Sequence, residues 1–340
     1  MTSWSNIPED VKRIIVGPLN RIDRQSLRQC SHGDKLFVEL ITKPIREINF
    51  MARRSVSGLV MVTEKKVRPL FLQFITIRFD EEYEDTFKHK REEGSTVVRR
   101  SKNLLPYTSF TVNEDFQTVA WRSLQKMLKC QNNRIESLNF SFLLSFNQAI
   151  DEPERIVPNL PSETVDVKSL TVRMVCSEDL TYQIVQFVKP NLHYLNLSMT
   201  VIDVTLPSRV GDLEQVKTAE KVYSLLKLSR EQSMELQGYE IVNKSTHLVD
   251  SDIADLLKKS LSTGKPSKFE YYRMWPEPSE VTSGFESIPW SVSTADEFKN
   301  LRENFQLDLA NKNFILSIPE ISKSRLFVEI TRFAVKGFII

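Results

Sequence analysis

The sequence predicts a mixed α/β fold in three stretches. Residues 1–45 carry apolar side chains at helical spacing, residues 46–120 carry runs of strand formers, and in residues 121–340 one strand pattern recurs with helix signals between its copies. The 340 residues, 41% hydrophobic and 26% charged, have the composition of a chain that buries a large core, with a length prior of about two domains.

The first helix is predicted over Ile7 to Ile15. Pro8 stands in its first turn, where the missing N–H costs nothing, and Glu9 and Asp10 complement the positive end of the helix dipole. Ile7, Val11, Ile14 and Ile15 fall on one face, and Gly17-Pro18 stops the helix. Asp23 then reads as the N-cap of a second helix, with Ile22 and Leu27 at staple positions. A third runs from about Lys35 to Ile41 and ends at Pro44. Three short helices of this size are marginal alone and gain from a partner surface.

Trp4, Ile7-Pro8-Glu9-Asp10-Val11, Ile14-Ile15, Leu19, Asp23-Arg24, Leu27-Arg28 and Ser31 together resemble an F-box, with the Trp and the Asp-Arg-x-x-Leu-Arg string closest to the nematode form. Ile7 stands where that family usually has Leu. The resemblance implies docking on a Skp-family adaptor, and through it on a cullin, by a helix-in-groove contact. Ile7, Pro8, Val11, Ile15, Leu19 and Leu27 are the expected anchors. The plainer alternative is a helical cap facing only the chain's own core.

The middle stretch, 46–120, is read as a small antiparallel sheet. Gly58–Val62, Leu70–Ile77, Val97-Val98 and Ser109–Val112 are its expected strands. Asp80–Glu93, acidic first and basic after, is read as a solvated hairpin tip rather than a docking loop. Arg99-Arg100 with Lys102 is too short a basic run to argue for nucleic acid.

From 121 onward the repeating pattern dominates. Ser137–Phe142, Ser169–Met174 and Tyr194–Met199 are three copies of one alternating strand. Between the last two, Ser177 reads as an N-cap, and Leu180, Ile184, Phe187 and Val188 form an apolar helix face closed by Pro190. Strand, helix and strand within so short a span is the unit of a leucine-rich-repeat-like α/β solenoid with parallel strands. Leu213–Leu228 is expected to hold a short helix and then a strand. Ile253, Leu256, Leu257 and Leu261 mark a helix stopped by Gly264, and strands follow at Phe269–Met274 and Phe314–Leu316. Thr294 and Glu297 form a capping-box signature for one more helix.

Leu213–Glu220 resembles the Glu-Gln-Trp-Lys-x-Ala-Lys stretch of the FTH domain, which follows the F-box in many nematode F-box proteins. Val216 stands where that family often has Trp. The resemblance covers about 150–290 and implies a substrate-recognition region, without assigning any single residue to a partner.

The remaining observations exclude chemistry. His32, His89, His193 and His247 have no second ligand at metal spacing, and nine glycines form no phosphate loop. Cys30 beside Ser31 and His32 reads as a small buried thiol, and Cys30, Cys130 and Cys176 do not suggest a disulfide framework. A net charge of +2 demands no nucleic acid or anionic membrane, and no apolar run has membrane-helix length. No signal peptide is visible, so an intracellular setting, cytoplasmic or nuclear, is expected, and the glycosylation-like triplets at Asn139, Asn196 and Asn243 are read as chance. Tyr271, Tyr272, Trp275 and Trp290 are read as packing the solenoid's end, with an interface role as the alternative. The expectation is therefore no enzyme, no cofactor and no metal. It is instead a substrate-recognition adaptor of an SCF-type (Skp-cullin-F-box) ubiquitin ligase, with a target protein held by the repeats. The alternative is an F-box scaffold that assembles a complex, for example with an RNA-binding protein, without directing degradation.

Overall fold

In a computed structural model of the chain, the structure describes residues 7–16, 27, 46–56, 71–79, 83–90, 95–102, 105–129, 134–143, 160, 164–174, 178–199, 207–273, 312–317, 325–331 and 334–339. The first element is helix α1 (Glu9–Val16). Of the other expected N-terminal elements, Leu27 alone is described, helical and half-buried. Leu19, the third helix, the strand expected at Gly58–Val62, the capping box at Thr294, and all three cysteines lie outside the described residues.

Five strands follow: β1 (Glu47–Val56), β2 (Phe71–Phe79), β3 (Tyr83–Lys90), β4 (Ser95–Lys102) and β5 (Leu105–Val112). Helix α2 (Phe116–Lys129) leads to β6 (Ile135–Leu143) and β7 (Val167–Met174). Then come α3 (Glu178–Gln186), β8 (Tyr194–Met199), a 3-10 turn (Arg209–Asp212), α4 (Glu214–Lys217) and β9 (Lys221–Ser224). The chain continues through α5 (Arg230–Glu235), β10 (Glu240–Leu248), α6 (Asp250–Thr263) and β11 (Lys268–Arg273) to β12 (Lys312–Ser317), β13 (Arg325–Ile330) and β14 (Ala334–Ile339).

The fourteen strands among the described residues form one sheet, ordered β12-β13-β14-β11-β10-β9-β8-β7-β6-β1-β2-β3-β4-β5. From β1 through β6 to β11 each strand runs parallel to its neighbour. Antiparallel strands extend the sheet at both ends. The class is mixed α/β, as the sequence predicts, and the three strand copies are neighbours in register: Leu138 pairs with Leu170, and Leu170 with Leu195.

Strand alternation sorts this register into two faces. On one face lie two apolar rows. Ile48, Leu138, Leu170, Leu195, Val222, Ile241 and Phe269 form the first, and Phe50, Phe140, Val172 and Leu197 begin the second; all are buried. The helices cover this face. Leu180, Ile184, Phe187 and Val188 of the α3 segment are buried as the sequence predicts, and Ile253, Leu256 and Leu257 of α6 join the same core. Gly264 ends α6 in the left-handed conformation at φ 69°, which glycine adopts without steric cost.

Two glutamines tie successive connections together. Gln215 donates to the carbonyl of Val188 (2.7 Å). Gln232, within the capping box that Ser229 forms at the start of α5, donates to the carbonyl of Ser208 (2.9 Å) and to Asp212 (2.8 Å). In the Leu213–Glu220 stretch, Val216 and Ala219 are fully buried, whereas Glu214 and Glu220 are exposed.

One expectation is corrected. The Asp80–Glu93 stretch is not a hairpin tip: its residues 83–90 form β3, hydrogen-bonded on both sides, with Asp85, Thr86 and Phe87 buried. A strand flanked by two partners draws its stability from cross-strand packing rather than from its own propensity, and Asp85 keeps a basic neighbour in Arg100 (3.7 Å). Tyr271 packs inward, as the preferred reading of that residue has it: it shares the inward face of β11 with Phe269, the two rings stacking at 5.3 Å. Tyr272, one residue on, is half-buried on the outer face, and Trp275 and Trp290 lie outside the described residues. Helix α2 spans residues 120 and 121, and its Trp121 stacks on Phe50 of β1 with ring centroids 4.4 Å apart.

Candidate functional site

Two surfaces carry side chains that the fold itself does not consume. The first is α1. Val11, Ile14 and Ile15 are 39%, 73% and 41% exposed, whereas Val16 is fully buried. At about 100° per residue the three exposed positions, at i, i+3 and i+4, form one stripe, and Val16 faces away from it. Helix α1 thus ends on a buried residue and presents a stripe of aliphatic side chains to solvent. Of the predicted anchors, Val11 and Ile15 lie in this stripe, Ile7 is half-buried and Pro8 exposed. Ile14, the most exposed of the three, is absent from the predicted anchors although it lies on the same periodic face.

The second surface is the outer face of the parallel strands. It begins with a polar cluster across β1 and β6. The Asn139 amide donates toward Asn49 Oδ1 (2.9 Å), Glu47 Oε1 (3.1 Å) and Ser137 Oγ (3.1 Å), and Asn49 donates to the same Glu47 oxygen (2.9 Å). On β8, Ser198 donates to Asn196 (2.7 Å), whose amide donates to the Tyr194 hydroxyl (3.2 Å). Asn139 and Asn196 therefore sit within paired strands, and Asn243 is buried, which is not how glycosylation acceptors in surface loops are placed.

Farther along this face the charge turns basic. Glu240 of β10 accepts from Lys268 (2.5 Å) and pairs with Lys221 (3.2 Å); hydrogen bonding to Lys268, ahead of the opposing effect of burial, holds its carboxyl below the ordinary glutamate value. Glu270 pairs with Lys336 (3.5 Å). Lys244 lies over two tyrosine rings, 5.3 Å from the Tyr223 centroid and 5.5 Å from that of Tyr272. Burial works against its charge, but Tyr223 and neighbouring charges outweigh it and its pKa is raised.

A cavity of about 550 Å³ opens beside α4, α5 and α6, lined by Lys217, Glu235, Lys259 and Lys265 among others. Two of its cations are already engaged. Lys217 pairs with Glu235 (2.6 Å), and Lys259 donates to the carbonyls of Met234 (2.6 Å) and Leu236 (2.7 Å) at the end of α5. Burial lowers the Lys259 pKa. His193 is paired with Glu220 (2.7 Å), and no group of three metal-ligating side chains occurs among the described residues. No helix among them is long and apolar enough to cross a membrane.

Comparison with protein-family models, with curated proteins and with solved structures finds no match to this chain.

Proposed function

We propose that this chain is the substrate-recognition subunit of an SCF-type ubiquitin ligase. The N-terminal segment acts as an F-box that docks on a Skp-family adaptor, and through it on a cullin. The strand-and-helix region acts as a leucine-rich-repeat-like domain that holds a target protein. The observation that carries this reading is the aliphatic stripe Val11, Ile14 and Ile15, left in solvent on a helix whose sequence has the F-box pattern. Exposed apolar residues in a contiguous stripe are what helix-in-groove docking uses. The parallel strands succeeding one another in chain order support the repeat reading of the second part.

In this role the chain makes and breaks no bond. It acts by proximity, raising the effective concentration of the target near the ubiquitin-conjugating enzyme. Reconstitution tests the proposal. The full chain, mixed with purified Skp-family adaptor and cullin, is expected to elute as one complex, and Val11→Asp with Ile15→Asp is expected to leave it outside. A chain that stays separate from the adaptor would defeat the proposal. A bound protein whose lifetime is unchanged by the chain would favour the scaffold role instead.

A further inference from the structure

The outer face from β7 to β11 holds two cations with no carboxylate at ion-pair distance among the described residues. Arg173 is exposed and makes no ion pair or hydrogen bond among the described residues. Lys244 has its two tyrosine rings but no carboxylate at ion-pair distance among them. The basic residues beside them, Lys221, Lys268 and Lys336, share only Glu240 and Glu270 among the described residues. Arg173 and Ser198 are paired in one row, and Lys244 follows Asn243, which extends the row before it. Arg173 and Lys244 thus each stand one residue beyond the paired row of Val172, Leu197, Ser224 and Asn243, three strand spacings or about 14 Å apart.

We infer that this face takes an acidic segment of a partner protein in extended conformation, running across the strands with one carboxylate on Arg173 and another on Lys244. The inference rests on the reading of this region as the target-binding part and names the chemistry of the target. An extended chain advances about 3.3 Å per residue, so the two acidic residues stand about four positions apart. Tyr194, Tyr223 and Tyr272 lie half-buried on the same face, a residue type that supplies contact area at low entropy cost. Single-stranded nucleic acid fits less well. Glu240 and Glu270 interrupt the face where a continuous phosphate backbone would run, and Lys244 already occupies the Tyr223 and Tyr272 rings on which bases would stack.

The test is fluorescence anisotropy on the full chain with a short labelled peptide carrying glutamates four residues apart, and with labelled oligouridine. The wild type is expected to bind the peptide saturably. Arg173→Glu with Lys244→Glu is expected to weaken it about tenfold or more and to gain binding of the matching lysine peptide, an exchange that mere structural damage would not produce. Arg173→Glu alone, at an exposed position, serves if the double variant fails to fold. Absence of peptide binding by the wild type, or equal binding by the variants, overturns the inference. Oligouridine bound more tightly than the peptide overturns it in favour of nucleic acid. Adaptor binding on the same samples is read separately: a chain that takes the peptide without the adaptor keeps this inference and loses the ligase reading.

Discussion

Gly337 of β14 lies directly beneath the ring of Phe269 on the neighbouring strand β11: a Cβ at 337 would come within 2.2 Å of the ring Cζ. Phe269 is buried and ends the apolar row that starts at Ile48. The glycine is what lets the antiparallel strand close on the last parallel one without displacing that ring. Gly337→Ala is expected to destabilise the chain by about 2 kcal/mol through overpacking. In a Phe269→Leu background the same change should cost less, and a urea-denaturation cycle of the four proteins measures the coupling. Additive costs would show that the two positions do not compete for space.

Trp121 and Phe50 join residues on either side of the boundary the sequence suggests. Their stack, together with Phe140 at 6.3 Å from Trp121, packs α2 onto β1 and β6. The strands of 46–120 and the repeat strands should therefore unfold in one transition, seen at the same urea concentration by circular dichroism and by fluorescence. Trp121→Ala should cost about 3–5 kcal/mol. Two separated transitions in the wild type would show two independently unfolding units.

The Tyr271 hydroxyl is fully buried and has no hydrogen-bond partner among the described residues; burial pushes its pKa well above the ordinary tyrosine value. Removing an unsatisfied polar atom while keeping the ring's shape costs little or stabilises. Tyr271→Phe should leave the unfolding midpoint unchanged or raise it by up to about 1 kcal/mol equivalent. A clear loss would reveal a hydrogen bond to that hydroxyl.

Glu240, held by Lys268 and Lys221, has its carboxyl pKa lowered on folding. The folded state therefore favours the ionised form more than the unfolded state does. The resulting stabilisation is full above the ordinary glutamate value of 4.5 and is lost as pH falls through the lower folded value. Comparing urea midpoints of wild type and Glu240→Gln across this range checks the sign. The gap should be constant near neutrality and shrink under acid, whereas a gap that widens under acid would reverse the assignment.

Much of the fold is legible in the sequence because alternation and helical spacing are local signals. Leu138, Leu170 and Leu195 announce their strands, and Gly264 announces the end of α6. What escapes is set by neighbours. Strand β3 looks like a charged loop because Glu84, Asp85, Lys88 and Lys90 dominate it, and its state depends on β2 and β4 pairing with it. Strands β13 and β14 give apolar segments whose place beside β11 follows only from long-range pairing. Helix α2 was within reach: Asp115 accepts from the Thr118 backbone N–H at 2.9 Å as an N-cap, and Phe116, Ala120, Trp121, Leu124 and Leu128 keep helical spacing. At the candidate sites, the α1 stripe was readable from its period. The Lys244–tyrosine grouping was not, because Tyr223 and Tyr272 come to Lys244 from adjacent strands.

The central claim is that the exposed side of α1 is a binding surface, and the most direct measurement is calorimetric titration of purified Skp-family adaptor into wild type and Ile14→Asp. Ile14 is 73% exposed, so its replacement should leave the urea midpoint where it is. The account predicts binding by the wild type and a loss of about 2 kcal/mol or more, roughly thirtyfold in Kd, by the variant. Equal affinities, or no heat of binding with the wild type, would contradict it.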